Sequence, residues 1–146
     1  MNKPYHELIS GRIYFGAAAD IPQMVREEGV EVVVDLRAES TGCAASQPGV
    51  IWQQIPLADH AEHPEPVLYQ AAIAAVVAAY QQGRKVAFHC GGGRGRTGTV
   101  AAGVLLALGL SDTVSAAIEQ ATAIRPVLKV KPLQCESLQQ LYPIQH

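Results

Sequence analysis

One uninterrupted run of the chain, an apolar strand followed by a glycine-rich loop and an apolar helix, constrains the fold more than any other feature. Residues 85–89 have the composition of a short buried strand, and residues 97–108 are apolar on most faces, as in a central buried helix. The loop between them begins at Cys90 and ends at Arg96. A strand that leads through a tight loop into a buried helix is typical of α/β domains, in which ligands bind at the carboxyl edge of the sheet.

The rest of the chain supports the same fold class. The sequence predicts strands at residues 5–9, 12–16, 32–36, 50–55 and 85–89. The first two form a hairpin around Ser10-Gly11. The sequence predicts helices over residues 21–28, 67–82, 97–108, 112–124 and 132–142. Asp20 is predicted to cap the first of these helices and Ser111 the fourth. We therefore predict an α/β fold with a four- to five-stranded, mostly parallel sheet flanked by helices. The active loop lies between the last strand and the central buried helix.

Length and charge bound the organisation of the chain and its partners. A chain of 146 residues is the size of one domain, so we expect residues 1–146 to fold as a single domain and as a monomer. The net charge is −2 without a long basic run, which disfavours nucleic-acid and membrane partners. No signal peptide is recognisable and the three cysteines lack paired spacing, so we expect a cytoplasmic protein.

The glycine-rich loop has the chemistry of an anion cradle. Its glycines allow successive N–H groups to turn towards one point, and the following helix directs its positive dipole end there. Arg96 adds a planar two-pronged donor for phosphate oxygens, and a thiol at Cys90 among such donors is favoured as the nucleophilic thiolate. The predicted phosphate-binding residues are Gly91, Gly92, Gly93, Arg94, Gly95 and Arg96.

Two nucleotide-binding patterns overlap this loop without fitting it. Gly93, Gly95 and Gly98 satisfy G-x-G-x-x-G, but no strand ending near an acidic residue follows the helix, as a dinucleotide site requires. The triphosphate-binding pattern G-x4-G-K-[ST] would require glycine at position 90 and lysine at position 96, where cysteine and arginine stand. A rhodanese-like sulfurtransferase also places a cysteine at the start of an anion-binding loop, and it stays open as an alternative.

Written as His-Cys-x5-Arg-Thr, residues 89–97 resemble the signature of the cysteine-dependent protein tyrosine phosphatase superfamily. Residues 32–39, Val-Val-Val-Asp-Leu-Arg-Ala-Glu, and the ending Arg-Pro-x5-Pro-Leu-Gln at 125–134 are similar to its compact dual-specificity branch. The resemblance extends from Arg12 to Tyr142 in element order. It implies a phosphomonoester hydrolase that acts through a phosphocysteine intermediate, with an arginine on the equatorial oxygens and an aspartic acid that protonates the leaving group. It implies neither a metal nor another cofactor.

On this resemblance each residue of the loop receives a role. Cys90 is the nucleophile that attacks phosphorus in line, while Arg96 and the N–H groups of residues 91–96 hold the other three oxygens. Thr97 offers its hydroxyl to the sulfur, or caps the helix, or does both. His89 orients the loop and tunes Cys90, although an ordinary histidine at a strand end is an equal alternative.

The general acid is predicted on the proline-bounded loop over residues 56–66. Asp59 is our choice, because it follows a strand and precedes the proline-led helix, where the resembled family places its acid. Glu62 and His60 are the fallback candidates. Together with His63, these side chains could in principle hold a metal, but a cysteine phosphatase has no use for one.

The remaining polar residues bear on the substrate. Arg94 is expected to point outward and to favour an acidic or multiply phosphorylated target. Because Arg94 is the only basic residue counted beside Arg96 in the loop, a phosphorylated protein or peptide is favoured over a phosphoinositide. A phosphosite-binding pseudophosphatase, a phosphoinositide phosphatase and the sulfurtransferase are the alternatives.

Further residues outside the loop receive structural expectations. Asp35, Arg37 and Glu39 are interpreted as a structural charge network at the end of a strand. Cys43 is expected to be a plain loop cysteine, with a protective disulfide to an oxidised Cys90 as the less favoured alternative. Cys135 is expected to be structural.

Overall fold

The structure, a computed structural model, describes residues 3–45 and 47–143. Its strands are β1 (His6–Ile9), β2 (Ile13–Ala17), β3 (Val32–Arg37), β4 (Ile51–Leu57) and β5 (Val86–Cys90). They form one sheet in the order β1-β2-β5-β3-β4. The β1–β2 hairpin is antiparallel and the other three pairs are parallel, which confirms the predicted α/β sheet.

The end of β4 differs from the sequence prediction. Strand β4 continues through Pro56 to Leu57, whereas the loop was predicted to begin at Pro56. Proline cannot donate to a sheet ladder, but β4 is an edge strand, and an edge tolerates it. The longer strand brings the carbonyl of Leu57 and the following Asp59 close to the carboxyl edge of the sheet.

Five α-helices and two other helical turns connect and cover the strands. A 3-10 turn (Ala18–Asp20), helix α1 (Ile21–Gln23) and a π-helical turn (Met24–Glu28) follow one another between β2 and β3. The longer helices are α2 (Pro66–Gln81), α3 (Gly95–Ala107), α4 (Val114–Ile124) and α5 (Pro132–Leu141). No helix within the described ranges is both long and apolar enough to span a membrane.

Neither predicted capping side chain makes a cap hydrogen bond: Asp20 precedes α1 as expected but does not bond to it, and Ser111 is not the N-cap of α4. The Asp20 carboxylate accepts a hydrogen bond from the Ala17 N–H at 2.9 Å, because the helical segment begins at Ala18, before the predicted start. Thr113, not Ser111, caps α4, since its hydroxyl oxygen accepts from the Ala116 N–H at 3.1 Å. The Ser111 hydroxyl donates instead to Gln120.

The sheet separates two apolar clusters. The larger lies beneath helices α2 to α5 and includes Val34, Phe88 and the Cys90 side chain. The smaller lies on the other face, where Tyr14 and Val33 pack with residues of the helical segment 18–28. Helix α3 is buried from Arg96 to Leu105, as predicted for a central helix. Because β5 and α3 are both buried, the loop between them is held at the carboxyl edge of the sheet.

Candidate active site

The loop from Cys90 to Arg96 leaves β5 and enters α3 in the predicted position. Cys90 is the last residue of β5 and pairs with Ala17, and the Ala18 N–H donates to the Gly91 carbonyl at 3.1 Å. Within the described part of the chain, the N–H groups of residues 92, 93 and 94 donate to no protein acceptor. Unpaired N–H groups beside a helix N-terminus are the donors that an anion requires.

Gly93 gives the loop its shape. Its φ is +68°, and a Cβ atom there would lie 2.6 Å from both Arg125 Nη2 and the Gly16 carbonyl carbon. The Gly93 carbonyl accepts a hydrogen bond at 2.8 Å from Nε of Arg125, which is 4% exposed. Arg125 also donates to the Pro4 carbonyl at 2.8 Å. Position 93 therefore accepts only glycine without a shift of the surrounding backbone.

Sequence reasoning assigned Arg125 no role at the loop. It used the Arg-Pro pair only as the end of a helix and as part of a family pattern. The available signal was an arginine directly after an amphipathic helix, where burial of the side chain calls for a polar partner. The partner, 32 residues away in sequence, is visible only in the structure.

Cys90 and Thr97 are in direct contact. The Thr97 hydroxyl donates to the Cys90 sulfur at 3.0 Å, and both side chains are buried. Thr97 lies in the first turn of α3, so the helix places its hydroxyl at the base of the loop. The geometry agrees with the sulfur-binding role expected for this hydroxyl.

Arg96 is buried, with 2% exposure, and one edge of its guanidinium is hydrogen-bonded to protein acceptors. Nη1 and Nη2 donate to the two carboxylate oxygens of Glu39 at 2.9 and 3.0 Å, and Nη1 also donates to the Leu57 carbonyl at 3.0 Å. Burial works to lower the pKa of Arg96, but Glu39 and Cys90 outweigh it and raise that pKa above its ordinary value. Nε is buried and has no hydrogen-bond partner among the described residues.

The predicted charge network forms without Glu39. Arg37 binds both Asp35 oxygens, at 2.9 and 3.0 Å, and Trp52 Nε1 donates to one of them at 3.1 Å. Burial works to raise the pKa of Asp35, but Arg37 and the other donors hold it at about 2. Glu39 turns away from this group to Arg96, so the expectation of a single structural network is wrong for Glu39. Its residue type and position gave no indication of a partner 57 residues away.

His89 lies inside the protein, directly before Cys90. Its Nδ1 is 3.0 Å from the Cys90 carbonyl oxygen, and its Nε2 is 3.8 Å from an Asp35 oxygen, too far for a hydrogen bond. Burial lowers the pKa of His89, so the neutral imidazole that donates through Nδ1 fits the contact. The ring thus fixes the carbonyl at the start of the loop.

Asp59 lies two residues after β4, at the mouth of the loop. Its Oδ1 is 3.6 Å from Arg96 Nη2, its Oδ2 is 3.4 Å from His60 Nε2, and the side chain is 55% exposed. The Lys131 ammonium donates to the Asp59 carbonyl at 3.0 Å. Beside it lies a cleft of about 340 Å³, lined by Asp59, His60, Ala61, Lys131, Pro132, Leu133 and Gln134.

The fallback acids are more remote from the loop. Glu62 and His60 are both exposed, and His60 Nε2 lies 3.4 Å from Asp59 Oδ2. Among the described residues, no three His, Cys, Asp or Glu side chains come together as a metal ion would require. Of the two carboxylate candidates, only Asp59 forms an ion pair with Arg96 within 4 Å among the described residues.

Two lysines left out of the sequence count belong to a segment that contacts the loop and Asp59. Arg94 is exposed, as expected, and its carbonyl accepts from the N–H of exposed Lys129 at 3.2 Å. Lys131 lies beside Asp59 on the same segment. Neither lysine was counted from the sequence, because both lie more than 30 residues after the loop.

The three cysteines are unpaired and in different surroundings. Cys43 packs against the small cluster on one face of the sheet, whereas Cys90 belongs to the large cluster on the other. Cys135 packs against the large cluster from α5. The sheet therefore separates Cys43 from Cys90, which favours the plain loop cysteine over the disulfide partner.

Residues 12–110 match a family model described as "Polymorphic toxin system, DSP-PTPase phosphatase". This match covers strands β2 to β5, the loop and all of α3. No curated protein sequence matches the chain.

Solved structures of small phosphatases are similar to the chain over nearly its full length. Human DUSP28 has a TM-score of 0.82 at 21% identity, with 97% of this chain and 95% of that chain covered. A mouse putative dual specificity phosphatase complexed with zinc tungstate has a TM-score of 0.83 at 20% identity, covering 97% and 88%. PTPMT1 has a TM-score of 0.78 at 22% identity, covering 94% and 93%. At these identities the structures establish the shared fold.

Proposed function

The chain belongs to the DSP-PTPase phosphatase family of polymorphic toxin systems, and from this membership we propose that it hydrolyses phosphomonoesters of proteins or peptides through a phosphocysteine intermediate. The main support is the buried Arg96 Nε, which has no partner among the described residues and belongs to the residue that closes the Cys90 loop. A buried donor without an acceptor is costly, and a phosphate oxygen would supply that acceptor. The free N–H groups of residues 92–94 would bind further oxygens of the same anion.

In the first step the Cys90 sulfur attacks phosphorus in line with the leaving oxygen. A sulfur–phosphorus bond forms as the bond from phosphorus to the leaving oxygen breaks. Arg96 and the loop N–H groups hold the three equatorial oxygens, on which charge is distributed in the transition state. The Thr97 hydroxyl, 3.0 Å from the sulfur, stabilises the thiolate before attack and again when it departs.

The leaving oxygen needs a proton, which we assign to Asp59. Its carboxyl group is half-exposed at the mouth of the loop, 3.6 Å from Arg96, where the leaving group of a bound phosphate would lie. In the second step a water molecule attacks phosphorus, the sulfur–phosphorus bond breaks, and Asp59 accepts the proton of the water. This reverses the direction of its first proton transfer.

Substitution of the nucleophile tests the mechanism. Cys90→Ser should abolish hydrolysis of an aryl phosphate, because a serine hydroxyl at this position lacks a base to activate it. The variant should still bind inorganic phosphate in calorimetry, since Arg96 and the loop are intact. Cys135→Ser, the same change on α5, is the matched control and should leave turnover unchanged. Turnover retained by Cys90→Ser would refute the phosphocysteine mechanism.

Substitution of the acid tests the assignment of Asp59. Asp59→Asn should slow a poor leaving group, such as an alkyl phosphate, by about 10²-fold or more, the usual contribution of a general acid. A nitrophenyl phosphate, whose leaving group needs little protonation, should be affected far less. Asp112→Asn, an exposed change remote from the loop, is the control. Equal slowing of both substrates would move the acid function to another residue.

A phosphoinositide is the second candidate substrate, favoured by Lys129, whose N–H donates to the Arg94 carbonyl, and by Lys131, whose ammonium donates to the Asp59 carbonyl. One structural neighbour, PTPMT1, has been solved in complex with PI(5)P. A panel of phosphotyrosine, phosphoserine and phosphothreonine peptides and phosphoinositides, compared by kcat/KM, separates the two classes. We expect the phosphopeptides to be preferred, because Arg94 is the only basic side chain within the loop besides Arg96.

The two non-phosphatase alternatives have direct assays. Vanadate-sensitive hydrolysis by the wild-type chain would exclude a pseudophosphatase that only binds phosphosites. Transfer of sulfur from thiosulfate to cyanide would identify a sulfurtransferase. We expect the first reaction and not the second.

A further inference from the structure

Arg125, the buried arginine that binds the Gly93 carbonyl, is held without an ion pair. Among the described residues, no carboxylate oxygen lies within 4 Å of its guanidinium. Its nitrogens donate instead to the carbonyls of Gly93 and Pro4, both at 2.8 Å, and to the side chain of His6. A buried cation depends on such polar partners. Of these three acceptors, only His6 can take up a proton.

The contact with Arg125 fixes the protonation state of His6. Nη1 of Arg125 lies 3.1 Å from Nδ1 of His6. A guanidinium can only donate, so Nδ1 accepts and the ring proton lies on Nε2. This arrangement requires the neutral imidazole. A protonated ring would place an N–H group and a positive charge against the guanidinium, and the contact would become repulsive.

We propose that His6 is a positioning residue for the Cys90 loop: the neutral ring holds Arg125 against the Gly93 carbonyl, and protonation of the ring removes this support. The inference rests on the proposed function, because its effect is on phosphate binding and turnover at the loop. Both His6 and Arg125 lie outside residues 12–110, which the family model matches. Sequence reasoning gave neither of them a role at the loop.

The geometry connects the ring of His6 to the loop through one rigid group. The ring lies on β1, with its centroid 6.3 Å from that of Phe15 on β2, and Arg125 directly follows α4, which packs against β1. Nη1 and Nε belong to the same planar guanidinium. A displacement of Nη1 away from His6 therefore also displaces Nε from the Gly93 carbonyl.

The charges near His6 keep it neutral at pH 7. Burial of the ring and, after it, the charge of Arg125 lower the pKa of His6 below its ordinary value of 6.5. Asp20, which follows β2, works in the opposite direction without outweighing them. Phe15, its neighbour on β2, carries no charge. The support is therefore present at neutral pH and is lost as the pH falls through the pKa of His6.

His6→Asn tests the role of protonation. Its Oδ1 takes the place of Nδ1 and can accept from Arg125, but it does not titrate. The measurement is the ratio of kcat/KM for nitrophenyl phosphate, His6→Asn over wild type, from about pH 7.5 to about pH 5. Titrations of Cys90, Asp59 and the substrate are common to both proteins and cancel in the ratio. The ratio should rise severalfold from neutral to acidic pH, whereas the same ratio for His63→Asn, an exposed control, should stay constant.

His6→Leu removes the acceptor at every pH. At neutral pH it should lower the affinity for inorganic phosphate and kcat/KM for nitrophenyl phosphate by about tenfold, the value of one hydrogen bond to a charged group. In the Arg125→Met background, His6→Asn should no longer change the pH dependence, because the effect of His6 passes through Arg125.

Several outcomes would overturn the proposal. A ratio for His6→Asn that stays constant across the pH range would show that protonation of His6 has no effect on the loop. A lower melting temperature of His6→Leu with unchanged phosphate affinity and kcat/KM would mean that the contact is only structural. A pH effect that persists without Arg125 would refute the route through this arginine. If the wild type hydrolyses no phosphomonoester, the proposed function fails, and the phosphate affinities of the wild type, His6→Asn and His6→Leu at both ends of the pH range still test the support separately.

Discussion

Gly93→Ala is the substitution for which the structure makes the sharpest prediction. The added methyl group would lie 2.6 Å from the Gly16 carbonyl carbon and 2.7 Å from its oxygen, both backbone atoms of β2. It would also lie 2.6 Å from Nη2 of Arg125, whose Nε binds the Gly93 carbonyl. The Gly16 atoms are backbone and cannot yield by rotation of a side chain, so the loop itself must move.

The cost has two parts. An alanine at a φ of +68° loses about 1–2 kcal/mol relative to glycine, because its Cβ meets the following carbonyl. Relief of the close contacts to the usual carbon separation of about 3.5 Å requires a shift of about 1 Å and adds about 1–3 kcal/mol. We expect a destabilisation of about 3 kcal/mol in total. A 1 Å displacement at the site should also lower kcat/KM by about 10²-fold.

Gly29→Ala separates the two parts. Gly29 also has a positive φ, +75°, but no atom lies within 4 Å of its Cβ position, and it is remote from the loop. This control should lose only the backbone strain of about 1–2 kcal/mol and keep full activity. Urea unfolding gives the free energies and nitrophenyl phosphate the activity. If Gly93→Ala is no less stable than Gly29→Ala and retains wild-type kcat/KM, the argument from the close approach to Gly16 is refuted.

Two further predictions concern the supports of the site. The pKa of Asp35, about 2 in the folded chain against 3.8 ordinarily, means that its carboxylate stabilises the fold above pH 4. This contribution, about 2 kcal/mol, is lost as the pH falls through 2. Asp35→Asn should therefore be less stable than the wild type at pH 7 by about that amount and approach the wild-type stability near pH 2. Urea unfolding at both pH values measures this. A difference in unfolding free energy that is the same at both pH values would contradict the linkage. Arg125→Met should lower the free energy of unfolding by about 2–3 kcal/mol, because the Gly93 carbonyl loses its charged donor. It should also lower activity more than Arg84→Met, an exposed control. Equal activity of the two variants would show that Arg125 does not support the loop.

Much of the fold and the centre of the site could be predicted because they are local in sequence. The strand, loop and helix around Cys90 are contiguous, and hydrophobic pattern and glycine spacing are sufficient to order them. The β1–β2 hairpin and the position of Asp59 just after β4 follow from the same kind of local signal. Such contiguous segments can be predicted because the spacing of apolar residues within each segment indicates which of its faces is buried.

The residues that support the loop could not be predicted, because their partners are distant. Glu39 pairs with Arg96 and Arg125 binds the Gly93 carbonyl, across 57 and 32 residues. An exposed-looking glutamate in a polar loop and an arginine at a helix end carry no periodicity that identifies a partner. The length of β4 was missed for a related reason, since a proline is excluded from inner strands and tolerated only at an edge that the sequence does not reveal.

On the proposed function, these supports also affect how the loop binds phosphate. Because Glu39 balances the charge of Arg96, that pair contributes little net attraction for an incoming dianion. The attraction must come from the loop N–H groups, the N-terminus of α3 and exposed Arg94. The N–H groups act through their direction rather than through a net charge, so their contribution depends on the shape of the loop. On the proposed function, Gly93 and Arg125, which hold that shape, therefore contribute to phosphate binding as Arg96 does.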